Sequence, residues 1–478
     1  MCVDENGNTK LINAINNRNE KEALNIIKNG NCYHEIINKD GDNALLLSIH
    51  RDLPKVALEI LNLKDINVSY VDNYGNTALT LSIKKIQEDV SNKIIECYND
   101  FNINHIDAHC DNALNASLKL GLMNVAQKLV ANKDCDFTIV DDNGDTPLLI
   151  AINKLGIFNY PYEEDSYGKI DEKLYYEIEN KRIIFEKEKL IYENIIKIIL
   201  KSSSSNHGYI NKNQTTALLL SICKDSPEIA ILILEKGNCN AHVINKVGDS
   251  ALLLALSKDY ENICKLIVDT TSVNNDIVSA NNDTPLLLSL GRNYKYVSEK
   301  IFSSLHECKT GYESLRVINN CGDIALFLAI NNGNEDLALK IFHSGYSNYE
   351  ILNSECDSSF IMAINNGMLT LADEILKKNN IDLINHINKY GNDSLLLCLE
   401  KMFFDFAMKI VNNGYLNADI LNEQNDTPLL IAINHGQLEI CKKLLLLMKV
   451  NKHHKNNFGF DALTIAKSRN YTELFEYF

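Results

Sequence analysis

The sequence predicts an all-α fold, a solenoid of stacked helix-turn-helix units. A turn followed by a helix recurs thirteen times in 478 residues, mostly at intervals of 34 or 35 residues. A helix-capping residue type follows the turn in all units but one, and a small residue follows five positions later in every unit. A fixed period of this length is typical of solenoids, in which each unit buries apolar surface against its neighbours.

The turn that opens each unit requires a residue that tolerates positive φ. Its most complete copy is Asp141-Asp142-Asn143-Gly144, followed by Thr146 as helix cap and by Pro147, which fits the first helical position. The units start near residues 4, 38, 72, 107, 141, 211, 245, 279, 319, 353, 388, 422 and 456. Their turn positions are Gly7, Gly41, Gly75, Cys110, Gly144, Gln214, Gly248, Asn282, Gly322, Cys356, Gly391, Asn425 and Gly459.

The first helix of each unit has two sets of equivalent residues: the N-cap, and a small residue five positions after it. The column of small residues predicts close approach of a neighbouring helix, most simply one from a stacked unit. The predicted caps are Thr9, Asn43, Thr77, Asn112, Thr146, Thr216, Ser250, Thr284, Ile324, Ser358, Asp393, Thr427 and Asp461. The small residues are Ala14, Ser48, Ser82, Ser117, Ala151, Ser221, Ala255, Ser289, Ala329, Ala363, Cys398, Ala432 and Ala466.

A second helix follows a short connection in each unit. Apolar residues three and four positions after its own small residue form a stripe that is expected to face the stack. These small residues are Ala23, Ala57, Ser91, Ala126, Ala230, Cys264, Ser298, Ala338, Ala372, Ala407 and Cys441.

The units resemble the ankyrin repeat family, whose signature Asp-x-x-Gly-x-Thr-Pro-Leu-His-x-Ala is nearly matched from Asp141 to Ala151. The resemblance implies β-hairpin-like turns between units and a concave groove, lined by hairpin tips and first helices, that binds a partner. The family's His is replaced by residues such as Leu149, so we expect fewer hydrogen bonds in the turns. A tetratricopeptide array shares the 34-residue period but has no recurrent Asp/Asn-x-x-Gly turn. Heavy use of Asn, Ile and Lys resembles ankyrin proteins of AT-rich genomes, such as those of large DNA viruses and amoebae.

Two intervals break the period. Between Gly144 and Gln214 we place a charged insertion, at 155–192 within the fifth unit, and interpret it as a solvated helical extension before that unit's second helix. A six-residue surplus around 304–313 predicts a longer loop. The residues at helical spacing near the insertion are Ile184, Ile191, Ile195 and Ile198.

The two ends are expected to act as polar caps of the array. Lys10 and Asn13 in the first unit and Lys467 in the last stand where other units are apolar or small. The final segment, 474–478, is more apolar than a cap requires. We expect it to fold back onto the twelfth unit, and exposure for a partner is the alternative.

Composition excludes several classes of protein. A net charge of −16 without a basic cluster argues against nucleic-acid binding. Thirteen scattered cysteines without a CxxC pair indicate reduced thiols. The start of the chain lacks the pattern of a signal peptide, and the apolar runs are shorter than the ~20 residues that cross a bilayer. We therefore expect a cytoplasmic, monomeric protein with no membrane segment and a single solenoid over 1–478.

Sequence motifs for enzyme chemistry are missing. There is no phosphate-binding loop and no His-Glu-x-x-His. The adjacent pair His453-His454 cannot present both rings to one metal, and Cys308 with Cys321 lacks a second pair. Cys398 and Cys441 occupy the small-residue columns and are interpreted as packing residues. We expect no catalytic residue, no cofactor, no metal site and no enzyme activity.

The predicted function is that of a protein-binding scaffold. The residue before the turn position varies most between units, and its aromatic members Tyr74, Tyr390 and Phe458 are the candidate partner contacts, because aromatic residues dominate interface hot spots. The alternative is that these are merely tolerant turn positions. The acidic balance favours a basic or neutral protein partner, mainly through association rate. A second hypothesis is an adaptor or enzyme-associated protein whose recruiting element is the 160–200 insertion.

Overall fold

The computed structural model describes residues 3–30, 32–159, 172–203, 205–270, 277–305, 311–414, 416–447 and 450–478. The chain forms two compact units, Met1–Ser272 and Val273–Phe478. The fold in the described residues is all-α, as predicted, with the core between helices rather than under a sheet. Its only β-type pairings there are two isolated bridges, Ile244 with Ser250 and Leu352 with Ser358.

The first compact unit contains seven helical pairs. They are α1 (Lys10–Asn16) and α2 (Glu20–Lys28), α3 (Ala44–His50) and α4 (Pro54–Ile60), α5 (Ala78–Lys84) and α6 (Glu88–Cys97), α7 (Ala113–Leu120) and α8 (Met123–Ala131), α9 (Pro147–Leu155) and α10 (Glu172–Lys201), α11 (Ala217–Cys223) and α12 (Pro227–Lys236), and α13 (Ala251–Ser257) and α14 (Glu261–Thr270).

The second compact unit contains the remaining helices of the described residues. They are α15 (Pro285–Gly291) and α16 (Lys295–Ser304), α17 (Ala325–Asn331) and α18 (Glu335–His343), α19 (Ser359–Asn365), α20 (Leu369–Leu376) and the short α21 (Ile381–Ile384), α22 (Ser394–Glu400) and α23 (Phe404–Asn413), α24 (Pro428–Asn434) and α25 (Leu438–Leu445), and α26 (Ala462–Ser468) with a 3₁₀ turn at Thr472–Tyr477.

The predicted caps are confirmed at every first helix. Each of the thirteen residues is the N-cap of its helix, and twelve accept a hydrogen bond from the backbone N–H three residues on; Ile324 has no side-chain acceptor. This bond satisfies one of the backbone donors that a helix start leaves unpaired. The sequence therefore fixes where each unit's first helix begins.

The turn before each cap is held by one side chain three residues before the turn position. In the fifth unit Asp141 Oδ1 accepts the backbone N–H of Asn143 at 2.9 Å and that of Asp145 at 2.8 Å. The same pair of bonds is made in all thirteen units by an Asp, an Asn or, in one case, Ser279. Losing the family's His therefore does not leave these turns poor in hydrogen bonds, contrary to expectation.

Every turn position has positive φ, including those that are not glycine. Cys356 lies at φ 57° and Cys110 at φ 62°, in the left-handed region that strains a residue with a Cβ. We expect Cys356→Gly to raise the free energy of unfolding by about 0.5–1 kcal/mol, because relief of strain exceeds the added freedom of the unfolded chain. Urea denaturation measures this change.

The neighbouring unit offers the matched reverse substitution. Gly322 lies at φ 84°, with open space where a Cβ would be added. Gly322→Cys should lower stability by a similar amount, since strain rather than a clash is introduced. Equal stability of Cys356→Gly and the wild type would show that the turn carries no strain at this position.

Both columns of small residues are buried, as predicted. Their members are at most 3% exposed. Two contacts show what they approach: Ser82 Oγ lies 2.7 Å from Ser91 Oγ, and Ser289 Oγ lies 2.9 Å from Ser298 Oγ. Both contacts join the two helices of one repeat, α5 with α6 and α15 with α16, whereas we expected a helix of the stacked unit. A small side chain at these places lets the two helices of a repeat pack closely.

The fifth unit takes its second helix from the end of α10, which is 30 residues long. Its buried side chains include Tyr192, Ile195, Ile196, Ile199 and Leu200. Tyr192 donates from its hydroxyl to the backbone oxygen of Leu118 at 3.3 Å, and burial raises the pKa of this phenol to about 12. This end of α10 therefore belongs to the core of the repeat array.

The four residues at helical spacing do not form one buried stripe. Ile195 is fully buried and Ile191 is half-buried, but Ile198, in the last turns of α10, is exposed. The earlier part of the helix exposes Ile184. The ring of Phe158 packs 4.6 Å from that of Phe185, which attaches this part to the preceding helix. The boundaries proposed for the insertion remain a prediction, and 160–171 lies outside the described residues.

The other irregular segments differ from simple loops. In the six-residue surplus, Gly311–Arg316 forms a 3₁₀ helix, while 306–310 and with it Cys308 lie outside the described residues. At the end of the chain, Thr472–Tyr477 packs on α25 and α26. Leu474 is fully buried there, whereas Phe475 stays exposed. The segment folds back as expected, but a leucine rather than the rings anchors it.

Candidate partner-binding surface of the repeat turns

Neighbouring turns are joined by direct hydrogen bonds. In five interfaces the same kind of bond is made. The donor is the side-chain amide of the Asn that lies three residues before one turn position. The acceptor is the side-chain oxygen of the residue that directly follows the turn position of the preceding unit. One of these bonds joins Asn211 to Asp145 at 2.6 Å, across the insertion. The turns of units five and six are therefore adjacent despite the extra residues between them. The other four pairs are Asn38 with Asn8, Asn319 with Asp283, Asn388 with Asp357 and Asn456 with Asp426.

Three consecutive interfaces replace this Asn by Asp and add a basic side chain. Lys119, near the end of α7, lies 2.8 Å from Asp111 and 2.9 Å from Asp141. Lys84, at the end of α5, lies 2.7 Å from Asp107. His50, at the end of α3, lies 3.3 Å from Asp72. Because an Asp cannot donate as Asn does, a basic side chain nine residues after the turn position takes its place. Lys84 and Lys119 contact both turns, whereas His50 contacts only the second of its two.

The pKa values of these carboxyls follow from their surroundings. Burial raises the pKa of Asp111, an effect that Lys119 only partly offsets. Burial also acts to raise the pKa of Asp107, but the hydrogen bonds from Lys84 and from the backbone outweigh it, so this pKa is lowered. Burial raises the pKa of Asp42, and the nearby Asp72 adds to the effect. Asp111 and Asp107 are therefore structural groups held by specific partners, whereas burial dominates at Asp42.

The three predicted contact residues lie at turn tips. Tyr74 is 67% exposed, Tyr390 is 58% exposed and Phe458 is 72% exposed. Their backbone N–H groups donate to Asp72, Asn388 and Asn456, so each tip is held although its ring is accessible.

The three rings lie on turns of different repeats. Tyr74 belongs to the first compact unit, whereas Tyr390 and Phe458 belong to the second and are separated by the turn of the twelfth unit. Tyr390 donates from its hydroxyl to Glu355 at 2.9 Å, and Lys389 lies 5.0 Å from its ring centroid. Phe458 shows no such polar attachment among the contacts of the described residues.

A row of exposed aliphatic residues was missed in the sequence. The residue four positions before the turn position is Val, Ile or Leu in every unit but the last, where Lys455 stands. We call this set the aliphatic row. Ten of its members are at least 36% exposed: Val3, Ile37, Val71, Ile106 and Ile210 in the first compact unit, and Val278, Ile318, Leu352, Ile387 and Leu421 in the second. The repeated Val, Ile or Leu is visible in the sequence, but an apolar residue that recurs at one position of a repeat is normally assigned to the core.

Cysteine, aspartate and histidine side chains at other places in the chain have structural roles. Cys398 and Cys441 are fully buried, and burial raises the pKa of the Cys441 thiol to about 12, which opposes thiolate formation. Asp393 caps α22, and burial raises the pKa of its carboxyl to about 7. His454 donates from Nε2 to the backbone oxygen of Asn425 at 2.8 Å, and His386 to that of Cys356 at 2.6 Å. These histidines join neighbouring turns.

Among the described residues, no helix combines the length and the apolar character needed to span a membrane. The long helix α10 carries many charged side chains along its length.

Comparison with solved structures finds similar chains at low identity, two of them from ankyrin repeat proteins. The crystal structure of the ankyrin repeat protein EF0377 shares 14% identity, covering 48% of this chain and 98% of that one, with a TM-score of 0.34. An ankyrin repeat domain from Acinetobacter baumannii AYE shares 17% identity, covering 47% and 96%, with a TM-score of 0.35. A complex of a predatory endopeptidase and an immunity protein from Bdellovibrio bacteriovorus shares 23% identity, covering 41% and 97%, with a TM-score of 0.31.

Comparison with protein families gives two matches. The model for ankyrin repeats in three copies matches residues 189–278, and that for a single ankyrin repeat matches 424–457. No curated protein matches the chain. The first match spans the sixth and seventh units and the second begins at the turn of the twelfth, where the same capped turn and buried small residues are found. Together with the thirteen equivalent turns, these matches support an ankyrin repeat protein.

Proposed function

We propose that this protein is a non-enzymatic scaffold that binds a protein partner through the tips of its repeat turns and the concave face beside them. Ankyrin repeats generally mediate protein–protein interaction. The observation that carries the proposal is the aliphatic row, because the same register of every unit but the last exposes or half-exposes a Val, Ile or Leu. Single exposed apolar residues are common, but a repeated row of them is typical of a binding surface.

The exposed rings at the tips supply the larger anchors of this surface. Tyr74, Tyr390 and Phe458 are rigid aromatic side chains on turns whose backbone is fixed by hydrogen bonds. An anchor that is already ordered loses little conformational entropy when it binds. The net charge of −16 favours a basic or neutral partner, through faster association rather than through tighter contact.

The proposal predicts that two sets of substitutions reduce binding. The first combines Tyr74→Ser, Tyr390→Ser and Phe458→Ser, and the second combines Ile318→Ser, Leu352→Ser and Ile387→Ser. Each set should weaken capture of the partner from native cells by at least about tenfold, since hot-spot truncations typically cost more than 1–2 kcal/mol each. Quantitative mass spectrometry after affinity capture measures the loss.

Exposed apolar residues at the opposite ends of the helices give a matched control. Ile86 and Met402 are 61% and 62% exposed in loops between the two helices of a unit, both at positive φ. Replacing both by Asn, which tolerates that conformation, should leave capture unchanged. Equal losses in this control and in the two turn variants would show that binding does not depend on the turns.

The insertion is the second candidate recruiting element. The part of α10 before Phe185 exposes Ile183 and Ile184, and Leu190 is exposed further along. A deletion of 160–200 would remove the core residues Ile195 and Leu200, so the appropriate variant is Ile183→Ser, Ile184→Ser and Leu190→Ser. Loss of capture in this variant alone would assign recruitment to the insertion instead of the turns.

A further inference from the structure

The interface between units two and three brings together three metal-ligating side chains. They are Asp42, one residue after the turn position Gly41, His50 at the end of α3, and Asp72, which holds the next turn. One donor atom from each lies within 4.8 Å of the other two. Asp42 is 8% exposed and Asp72 is 5% exposed, while the His50 side chain is 27% exposed. The two carboxylates are thus buried, and the imidazole is partly exposed.

Asp42 lacks the partner that its counterparts have. Its Oδ1 is buried and has no hydrogen-bond donor within the protein. The equivalent carboxylates Asp145 and Asp283 each accept a bond from an Asn of the next unit. Here the next unit presents Asp72, which has no proton to donate when ionised. A buried carboxylate without a partner is costly, and a cation bound at this position would relieve that cost.

The next two interfaces show how the same requirement is met elsewhere. Lys119 binds Asp111 and Asp141 at once, and Lys84 binds Asp107 together with the side-chain oxygen of Asn76 at 3.1 Å. His50 occupies the equivalent place but reaches only Asp72. At this interface the imidazole of His50 stands where the next two interfaces have a lysine, whose longer side chain reaches both turns.

We propose that Asp42, His50 and Asp72 form a binding site for a divalent transition-metal ion of the Mn²⁺ to Zn²⁺ series. One imidazole nitrogen and two carboxylate oxygens are a donor set that these ions accept. Ligand bonds of about 2.0–2.1 Å in a tetrahedral site place two donors roughly 3.3 Å apart, and His50 Nε2 lies 3.3 Å from Asp72 Oδ2. The exposed side of His50 leaves further coordination positions to water.

The ligands are already oriented by other contacts. Asp72 Oδ1 accepts the backbone N–H groups of Tyr74 and Asn76. Its Oδ2 accepts the side-chain amide of Asn76 at 3.1 Å and lies 3.3 Å from His50 Nε2. The His50 ring meets the ring of Tyr74 edge-on, with centroids 6.1 Å apart. Such supporting contacts fix the direction of metal ligands. A bound ion would join the second turn to the third and would hold the base of the Tyr74 tip.

Titration of the EDTA-treated full-length chain with Mn²⁺, followed by electron paramagnetic resonance of the free ion, tests the site. Mn²⁺ is the appropriate probe because it prefers oxygen and nitrogen donors, whereas exposed thiols such as Cys97 would bind Zn²⁺. The wild type should bind one more equivalent of Mn²⁺ than His50→Lys. Asp42→Asn should bind at that site at least about tenfold more weakly.

His50→Lys is the matched variant because lysine is the residue used at this place in the next two units. It should remain folded in EDTA, with a thermal midpoint at least equal to that of the wild type, and Mn²⁺ should raise the midpoint of the wild type only. If the wild type and His50→Lys bind equal amounts of Mn²⁺ with equal affinity, or if neither binds it, the three side chains do not form a metal site.

Discussion

Replacing Lys119 by Met should destabilise the first compact unit by about 3–5 kcal/mol. Lys119 is the only cation bonded to both Asp111 and Asp141 among the ion pairs of the described residues, and the side chain of Asp141 is 1% exposed. Removing one partner of a buried ion pair leaves an uncompensated charge, which typically costs this amount. Urea denaturation followed by circular dichroism measures the change in the free energy of unfolding.

A second substitution should recover most of this loss. With Asp141→Asn in the Lys119→Met background, the Asn amide can donate to Asp111 as Asn211 donates to Asp145 at 2.6 Å. The double variant then copies the arrangement used at other interfaces, and it should regain roughly 2 kcal/mol, which is typical of a hydrogen bond to a charged group.

Lys128 provides the control for a surface ion pair. It bonds to Glu96, whose side chain is 57% exposed, so Lys128→Met should cost at most about 1 kcal/mol. A Lys119→Met variant that is as mild as Lys128→Met, or that Asp141→Asn makes worse, would contradict the role assigned to the turn pair.

The second large effect is expected from Ala255→Asp in α13. Ala255 is fully buried in the column of small residues that lets two helices approach closely. A carboxylate at this place would be buried without a partner and would also force the helices apart, so we expect a loss of about 3–5 kcal/mol or more. A thermal melt measures it, as a lower midpoint or as loss of the cooperative transition.

The same substitution at an exposed helix end is the control. Ala131 is the last residue of α8 and is exposed. Ala131→Asp places a negative charge near a helix C-terminus, which costs at most about 1 kcal/mol. Melting of Ala255→Asp at the same temperature as the wild type would show that the buried column does not hold the helices together.

Several features of the fold were predictable because they depend on residues close together in the chain. A cap such as Thr146 accepts a hydrogen bond from the backbone N–H of Leu149, three residues on, and Asp141 closes its turn with Asp145, four residues on. Each local pattern is weak by itself, but its recurrence in thirteen copies identifies the repeat unit. The family resemblance followed from the same local residues, and the matches at 189–278 and 424–457 confirm it.

The binding surface was only partly predictable. Tyr74, Tyr390 and Phe458 were chosen because tips vary, and their exposure agrees with that choice, although their role in binding is still a prediction. The aliphatic row was overlooked because a repeated apolar residue predicts burial. Whether such a residue faces the core or the solvent depends on how the turns pack together. The extent of one solenoid over 1–478 is likewise still a prediction.

The sequence by itself determined the unit: its capped turn, its two helices and the small residues between them, all set by local hydrogen bonding and side-chain size. Only the tertiary structure decided how each turn meets the next. Asp42, His50 and Asp72 come from two units, and so do Lys119 and Asp141, so neither set forms a sequence motif. Stacking places residues about 20 to 35 positions apart within ion-pair distance, where burial strengthens their interaction. For this reason the sequence predicts the repeats, whereas the contacts between carboxylates of neighbouring turns and their basic partners are visible only in the structure.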